Sequence, residues 1–134
     1  MTSSAALDST CDRLSHLVDE TQFERLRWAR NEGPMLARLV ELAQGAFAER
    51  EDFELTEEGA SRAEKRFVLK IHGTRIIAIV FGLDAGRATL RGEPIERSRY
   101  AIAPGAPLSG DFTLVDAPWM ASALDLLLGR IQTA

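Results

Sequence analysis

The spacing of apolar residues changes once along the chain, near Arg50, and this change limits the possible folds. Before it, apolar residues recur every three or four positions, as on one face of a helix; after it, they alternate with polar ones, as in a strand. Helices followed by strands predict an α+β domain, because an α/β domain would alternate the two. The clearest helical stripe consists of Leu36, Leu39, Val40, Ala43 and Phe47.

Three helical segments are predicted within residues 8–49. A short amphipathic helix covers residues 8–18, and Thr21 with Glu24 forms a capping-box pattern that opens the second helix. The Gly33-Pro34 pair is expected to break the chain, because glycine ends helices and proline favours the first turn of a new one. The third helix is predicted to run from Pro34 to residue 49.

Six runs of alternating polar and apolar residues follow, and they predict a sheet over residues 52–115. The third run is apolar on both faces, which is typical of a central strand that is covered on both sides. Gly73-Thr74 before it is short enough for a hairpin. Because consecutive strands usually pair, we expect an antiparallel meander of five or six strands. The six runs are 52–56, 66–72, 75–81, 88–91, 96–102 and 111–115.

A last helix is predicted for residues 117–132 and is expected to pack on the sheet. Asp116 stands where an N-cap belongs, and Pro118 fits the first turn. Apolar residues cover most of the circumference of this helix, so either the domain buries it deeply or another chain covers part of it. We therefore expect a homodimer interface on the adjacent stripe, with Trp28 as a further candidate anchor. The adjacent stripe consists of Trp119, Ala123 and Leu126.

Length and composition favour one folded domain over residues 1–134, with residues 1–6 frayed. Apolar residues make up 46% and charged residues 27% of the chain, as in ordinary globular proteins. The single cysteine, Cys11, excludes an internal disulfide and favours a reducing, cytoplasmic location. We expect no signal peptide and no membrane contact, because no apolar run is long enough for either.

Few residues are candidates for catalysis or metal binding. His16, His72 and Cys11 have no partner at metal-ligand spacing, so we expect a solvated helix position, a turn residue and a small buried apolar residue, respectively. The chain contains no nucleophile elbow, phosphate-binding loop or dinucleotide-binding fingerprint. We therefore expect no metal, no cofactor and no catalytic residue, which favours a non-enzymatic role.

The net charge of −4 is unevenly distributed. Residues 1–60 hold 13 acidic and 6 basic residues, whereas residues 61–100 hold 4 acidic and 9 basic ones. If the strands turn one side to the core, their period of two sends most basic side chains to the other side. The core side would consist of Phe67, Leu69, Ile71, Ala88, Leu90, Tyr100 and Ile102. The opposite side would carry the candidate anion- or partner-binding residues Arg66, Lys70, His72, Arg87, Arg91, Arg97 and Arg99.

A sheet face rich in arginine suits the bidentate binding of carboxylates or phosphates. The main expectation is a regulatory interaction protein with an acidic protein partner, since the net charge is negative and few aromatic residues lie on this face to stack on bases. The alternatives are nucleic-acid binding by the same face, or an anionic small molecule in a pocket between sheet and helix, held by Arg97 or Arg99. The arginines could instead pair with Glu93 or Glu96 across strands and bind no partner.

Overall fold

The structure, a computed structural model, describes residues 2–61 and 63–133. Two helices precede the strands and one follows most of them, so the fold is α+β, as the change of periodicity predicts. Contacts divide the chain into a helical unit up to Pro34 and a sheet unit from Met35 onward. The helices are α1 (Thr2–Val18), α2 (Glu20–Ala46) and α3 (Ala117–Leu128). The strands are β1 (Phe53–Ala60), β2 (Glu64–Ile71), β3 (Thr74–Asp84), β4 (Arg87–Glu93), β5 (Tyr100–Ile102), β6 (Leu108–Asp111) and β7 (Ile131–Thr133).

In the helical unit, Asp19 alone separates α1 from α2, and Arg30 of α2 forms an ion pair with Asp12 of α1 at 3.5 Å. Asp19 starts α2, because its carboxylate accepts the backbone N–H of Gln22 at 3.0 Å. The capping box predicted at Thr21 is therefore wrong. The N-cap lies two residues earlier, at Asp19, and it uses a carboxylate instead of a hydroxyl. α1 begins at Thr2, within the segment 1–6 that the sequence predicts to be frayed, and Met1 lies outside the described residues.

The break predicted at Gly33-Pro34 is also wrong, since α2 continues through Pro34 to Ala46. A proline inside a helix lacks the N–H that would bond the carbonyl four residues earlier, but the neighbouring turns can keep their own hydrogen bonds. The two compact units of the chain also divide at Pro34.

The sheet unit contains a five-stranded antiparallel sheet in the order β1-β2-β3-β4-β6. The central position of β3 confirms what its two apolar faces predict. Two tight hairpins join β2 to β3 and β3 to β4, and both residues of each turn have positive φ: His72 and Gly73, then Ala85 and Gly86. This geometry matches the right-handed twist of the strands. The first hairpin turn lies one residue earlier than the predicted Gly73-Thr74, and Thr74 begins β3.

One face of the sheet packs into the core of the sheet unit. Its side chains are fully or nearly fully buried, and they include four of the seven residues predicted for that side. Leu127 of α3 approaches Gly92 of β4, and Trp119 of α3 lies against Gly110 of β6, so α3 covers this face. Near β1, the rings of Phe47 and Phe53 stack with centroids 5.5 Å apart. The buried residues of the face are Phe67, Leu69, Ile77, Ile79, Phe81, Ala88 and Leu90.

The end of the chain differs from the prediction in three respects. The run predicted at 96–102 forms a strand only from Tyr100 onward, and this strand leaves the main sheet to pair with β7 in a two-stranded ribbon. The run predicted at 111–115 is a 3₁₀ turn over Phe112–Leu114, because the Asp111 carboxylate caps it; the strand β6 precedes it. The last helix ends at Leu128 instead of 132, since Ile131–Thr133 pairs with β5.

Candidate functional site

The strand register brings four of the predicted cations onto the face opposite the buried one. Arg66 of β2 and Arg91 of β4 both lie beside Val80 of β3. Lys70 lies further along β2, on the same side as Arg66 by the period of two, and Arg87 shares a side with Arg91 on β4. We call this the polar face.

The two central arginines of the polar face are held by carboxylates of neighbouring strands. Arg91 makes a bidentate pair with Glu64, and its Nε also donates to Glu93 at 3.2 Å. Glu93 in turn accepts from Nε of Arg66 at 3.4 Å. The result is a neutral chain of four charges, Glu64–Arg91–Glu93–Arg66, that crosses three strands above Val80. The hydrogen bonds from Arg91 hold the pKa of Glu64 below its usual value.

The rest of the polar face is also mixed in sign. Arg75, which is paired in register with Lys70, forms an ion pair with Glu58 of β1. Nε of Arg87 donates to the Ser109 hydroxyl at 3.1 Å, and its charge contributes to the lowered pKa of Asp111, after the larger effect of the Thr113 hydrogen bonds. Arg66 and Arg91 are therefore occupied by internal carboxylates. The structure shows that both arginines pair with Glu93, which is one of the alternatives that the sequence leaves open.

The other predicted cations lie at the β2–β3 turn and in the loop before β5. His72 forms the turn itself. The hydroxyl of Ser98 donates to the Ile76 carbonyl at 2.6 Å and accepts the backbone N–H of Tyr100 at 3.1 Å, which fixes the loop carrying Arg97 and Arg99 against the start of β3. Within residues 2–61 and 63–133, Lys70, Arg97 and Arg99 form no ion pair. These three residues are named the turn-end cations.

A cavity of about 220 Å³ opens between the β2–β3 hairpin and the β5–β7 ribbon, and His72 lines it whereas Lys70, Arg97 and Arg99 do not. Its apolar wall comes from three isoleucines, and its polar groups come from His72, Thr74 and Tyr100. Lys70 precedes one of the lining residues in the chain, and Arg99 precedes another. We call it the ribbon cavity. The isoleucines are Ile71, Ile76 and Ile131.

The sequence could not locate this cavity, because two of its six lining residues, Tyr100 and Ile131, come together only through the pairing of β5 with β7. The sequence pattern predicts Ile131 in a helix, and it predicts Tyr100 and Ile71 in the core. Tyr100, Ile71 and Ile102 are in fact only half-buried. The sequence signal for the end of the helix is Gly129 followed by the β-branched Ile131, because both residue types disfavour the continuation of a helix.

Two other hollows open where Glu64 and Arg91 lie. One of about 230 Å³ lies above Val80, and a second of about 530 Å³ extends from Ser61 to Pro107. Glu64 and Arg91 line both hollows, and because they bind each other, they present a neutral pair to any ligand there.

The predicted interface stripe on α3 does not form a continuous surface. Ala123 is only 5% exposed and belongs to the core, and Trp119 is half-buried against Gly110. Leu126 is 59% exposed and is the one member of the stripe that faces solvent. The sequence could not decide which stripe of this apolar helix would be covered, because both have similar hydrophobicity.

All resolved pKa shifts in the described residues favour the charged form of the group. Hydrogen bonds from arginine lower the pKa of Asp52, Glu58 and Glu64 and raise the pKa of the arginines that donate them. A carboxyl or guanidinium group would need a shift in the opposite direction to act as a general acid or base near neutral pH. Among the described residues, no three side chains of His, Cys, Asp or Glu come together in a group that could hold a metal ion.

Comparisons with family models, with curated proteins and with solved structures find no match for the chain. None of the helices formed by residues 2–61 and 63–133 combines the length and the apolar character required to cross a membrane. The candidate site therefore has to be interpreted from its own geometry.

Proposed function

We propose that the chain is a non-catalytic regulatory protein that binds an acidic segment of a protein partner, and that the ribbon cavity receives one apolar side chain of that segment. The observation that carries this proposal is an apolar cavity whose lining residues adjoin, along the chain, cations that form no ion pair within the described residues. The exposed thiol of Cys11 supports work in a reducing compartment such as the cytoplasm.

The size of the ribbon cavity favours a protein partner over a small molecule. Sites for small ligands usually have volumes of about 300–1,000 Å³, whereas this cavity measures about 220 Å³. That space suits one side chain of the size of leucine or phenylalanine. In protein interfaces a few such anchor residues provide most of the affinity. The remainder of the partner would lie over the surrounding surface.

The charges around the ribbon cavity favour acidic side chains near the anchor. Arg97 and Arg99 project from a loop that Ser98 fixes, and Lys70 lies on the neighbouring strand. Carboxylates of a partner would find donors there that no internal carboxylate occupies. Nucleic acid fits less well, because the polar face carries alternating signs that would meet a row of phosphates with both attraction and repulsion.

A binding assay with a defined probe tests the proposal. The probe is a fluorescein-labelled peptide of glutamates with a single central leucine, and fluorescence anisotropy at low and moderate salt measures its affinity. We expect binding that weakens with salt, and a loss of roughly tenfold in the Arg97→Ala/Arg99→Ala variant, because two exposed charge contacts together contribute about 1–1.5 kcal/mol. The matched control is Arg25→Ala/Arg27→Ala, which removes the same charge from the helical unit and should bind as the parent protein does.

A second peptide separates the anchor from the charges. Replacing its leucine by glutamate should weaken binding roughly tenfold or more, because burial of a leucine side chain contributes about 1.5–3 kcal/mol. Equal affinity for the two peptides would overturn the role of the ribbon cavity. No binding of the leucine peptide, or tighter binding of duplex DNA with the same dependence on Arg97 and Arg99, would overturn the acidic protein partner.

A further inference from the structure

Strand β1 forms one edge of the five-stranded sheet, and within the described residues its outer side pairs with no other strand. Just before β1, the carbonyl of Asp52 accepts the N–H of His72 at 2.9 Å, which sets the alternation of hydrogen bonds along the strand. Successive residues of an antiparallel strand point their backbone groups to opposite sides, so Leu55 directs both its N–H and its carbonyl away from β2. We call this outer side of β1, from Phe53 to Glu57, the open edge.

The open edge is regular only as far as the β-bulge between Glu57 and Gly59. A bulge twists a strand and interrupts its ladder, so it limits pairing with long strands of other molecules. The regular part still offers a site to a short extended segment, and several kinds of peptide-binding domain add such a segment to a sheet edge. The backbone groups of the peptide then provide affinity, and pockets for its alternate side chains provide specificity.

A hollow of about 300 Å³ opens beside the open edge, between the end of α2 and β1. We call it the edge hollow. Its apolar wall includes Phe47, Phe53 and Leu55, and the carboxylates of Glu51 and Glu54 also line it. Alternate side chains of an added strand would lie on the same side of the sheet as Phe53 and Leu55, so one of them would enter the edge hollow.

The surface around the edge hollow is acidic. Residues 49–58 hold six acidic residues and one basic residue. The basic residue, Arg50, is bound by the Asp52 carboxylate through two hydrogen bonds, of 3.1 and 2.8 Å. Three of the carboxylates form no ion pair within residues 2–61 and 63–133, so the surface keeps an excess of negative charge that a cation would balance. These three carboxylates are those of Glu49, Glu51 and Glu54.

This charge decides which strand fits the open edge. A second copy of the chain would bring two acidic segments side by side, and like charges on neighbouring strands destabilise their pairing. A strand with arginine or lysine at alternate positions has the complementary charge. The stem of one such side chain can lie along Phe47 and Leu55 in the edge hollow, while its charged end reaches Glu51 or Glu54.

We propose that the open edge binds a basic, extended segment of a protein partner as an additional strand of the sheet, with one arginine or lysine side chain in the edge hollow. All residues that line the edge hollow belong to the sheet unit, and none of them lines the ribbon cavity. The proposal therefore does not rest on the acidic partner proposed above. The sheet unit would hold two segments of opposite charge at two separate surfaces.

A fluorescein-labelled peptide of alternating arginine and valine tests the role of charge by fluorescence anisotropy. We expect the parent protein to bind it and the Glu51→Gln/Glu54→Gln variant to bind roughly tenfold less tightly. Both side chains are exposed and form no ion pair, so the urea midpoint of the variant should stay unchanged. The matched control is Glu96→Gln/Asp125→Asn, which removes the same charge from exposed positions elsewhere in the sheet unit and should bind as the parent does.

A second peptide tests whether the segment adds as a strand. N-methyl groups on its central amides keep the charge and remove the donors that a strand needs, so its affinity should be lower by roughly tenfold or more. The Arg97→Ala/Arg99→Ala variant lacks two of the turn-end cations and should bind the unmodified arginine peptide as the parent does, which lets the two proposals fail separately.

Three results would overturn the proposal: no binding of the arginine peptide, equal affinity of the parent and the Glu51→Gln/Glu54→Gln variant, or equal affinity for the two arginine peptides. A dimer in sedimentation equilibrium that the arginine peptide dissociates would also overturn it, because a second copy would then occupy the open edge.

Discussion

Replacing His72 by glycine should stabilise the sheet unit and weaken partner binding at the same time. His72 has a φ of 52° in the turn between β2 and β3, a left-handed conformation that residues with a Cβ adopt at a cost. Its side chain is exposed and lines the ribbon cavity, so the ring contributes little to the core. Stability and binding therefore depend on different atoms of the same residue.

The expected gain in stability follows from two opposing terms. Relief of the left-handed backbone contributes about 1–2 kcal/mol. The greater freedom of glycine in the unfolded chain removes about 0.4–1 kcal/mol of this. The net gain for His72→Gly is then about 0.5–1 kcal/mol, which corresponds to a rise in melting temperature of roughly 3–6 °C for a unit of this size.

Ala85→Gly is the matched control, because Ala85 has nearly the same geometry, with a φ of 49°, in the turn between β3 and β4. Urea unfolding should show a higher midpoint with an unchanged slope for both variants. Only His72→Gly should reduce the affinity for the acidic peptide, since Ala85 lies outside the ribbon cavity. A loss of stability in Ala85→Gly would refute the backbone reasoning. A gain there with a loss in His72→Gly would show that the imidazole ring stabilises the fold.

Three further changes test packing, capping and charge. Gly110→Ala would place a Cβ 2.8 Å from the indole nitrogen of Trp119, so we expect a cost of about 1–3 kcal/mol in urea unfolding and a shifted tryptophan emission. Asp116→Ala removes the carboxylate that accepts the backbone N–H of Trp119 at 2.9 Å and should cost about 1 kcal/mol, whereas Asp125→Ala should cost much less. The lowered pKa of Glu64 implies a contribution to stability that is present above the usual carboxylate range and is lost as the pH falls through the folded-state value. Glu64→Gln should therefore be less stable than the parent at neutral pH and equally stable in acid; a constant difference across pH would contradict this.

The sequence predicts the features that depend on local pattern. The change from helical to alternating periodicity correctly places the helices before the strands, and the two apolar faces of residues 75–81 correctly place β3 at the centre. Asp116 caps α3 as expected, because a side chain that accepts the N–H three residues later needs no tertiary contact.

The features that the sequence misses depend on pairing between distant segments. β5 and β7 have three residues each, which is too few for a period to be visible, and their pairing creates the ribbon cavity. The alternation of side chains along a strand could have predicted the neutral chain on the polar face, since Glu64 and Arg66 are two residues apart, as are Arg91 and Glu93. The prediction of a basic face considers only the cations and leaves out the carboxylates on the same side of the strands.

None of the described side chains from Ser4 to Pro34 is buried, so the helical unit has no apolar core of its own. The buried side chains of the sheet unit come from within one chain, so its melting point should stay constant on dilution. The helical unit should unfold at a lower temperature than the sheet unit, because most helical stability in proteins comes from the packing of an apolar face. Two separate melting transitions would show that the amino-terminal quarter of the protein can unfold while the remainder stays folded.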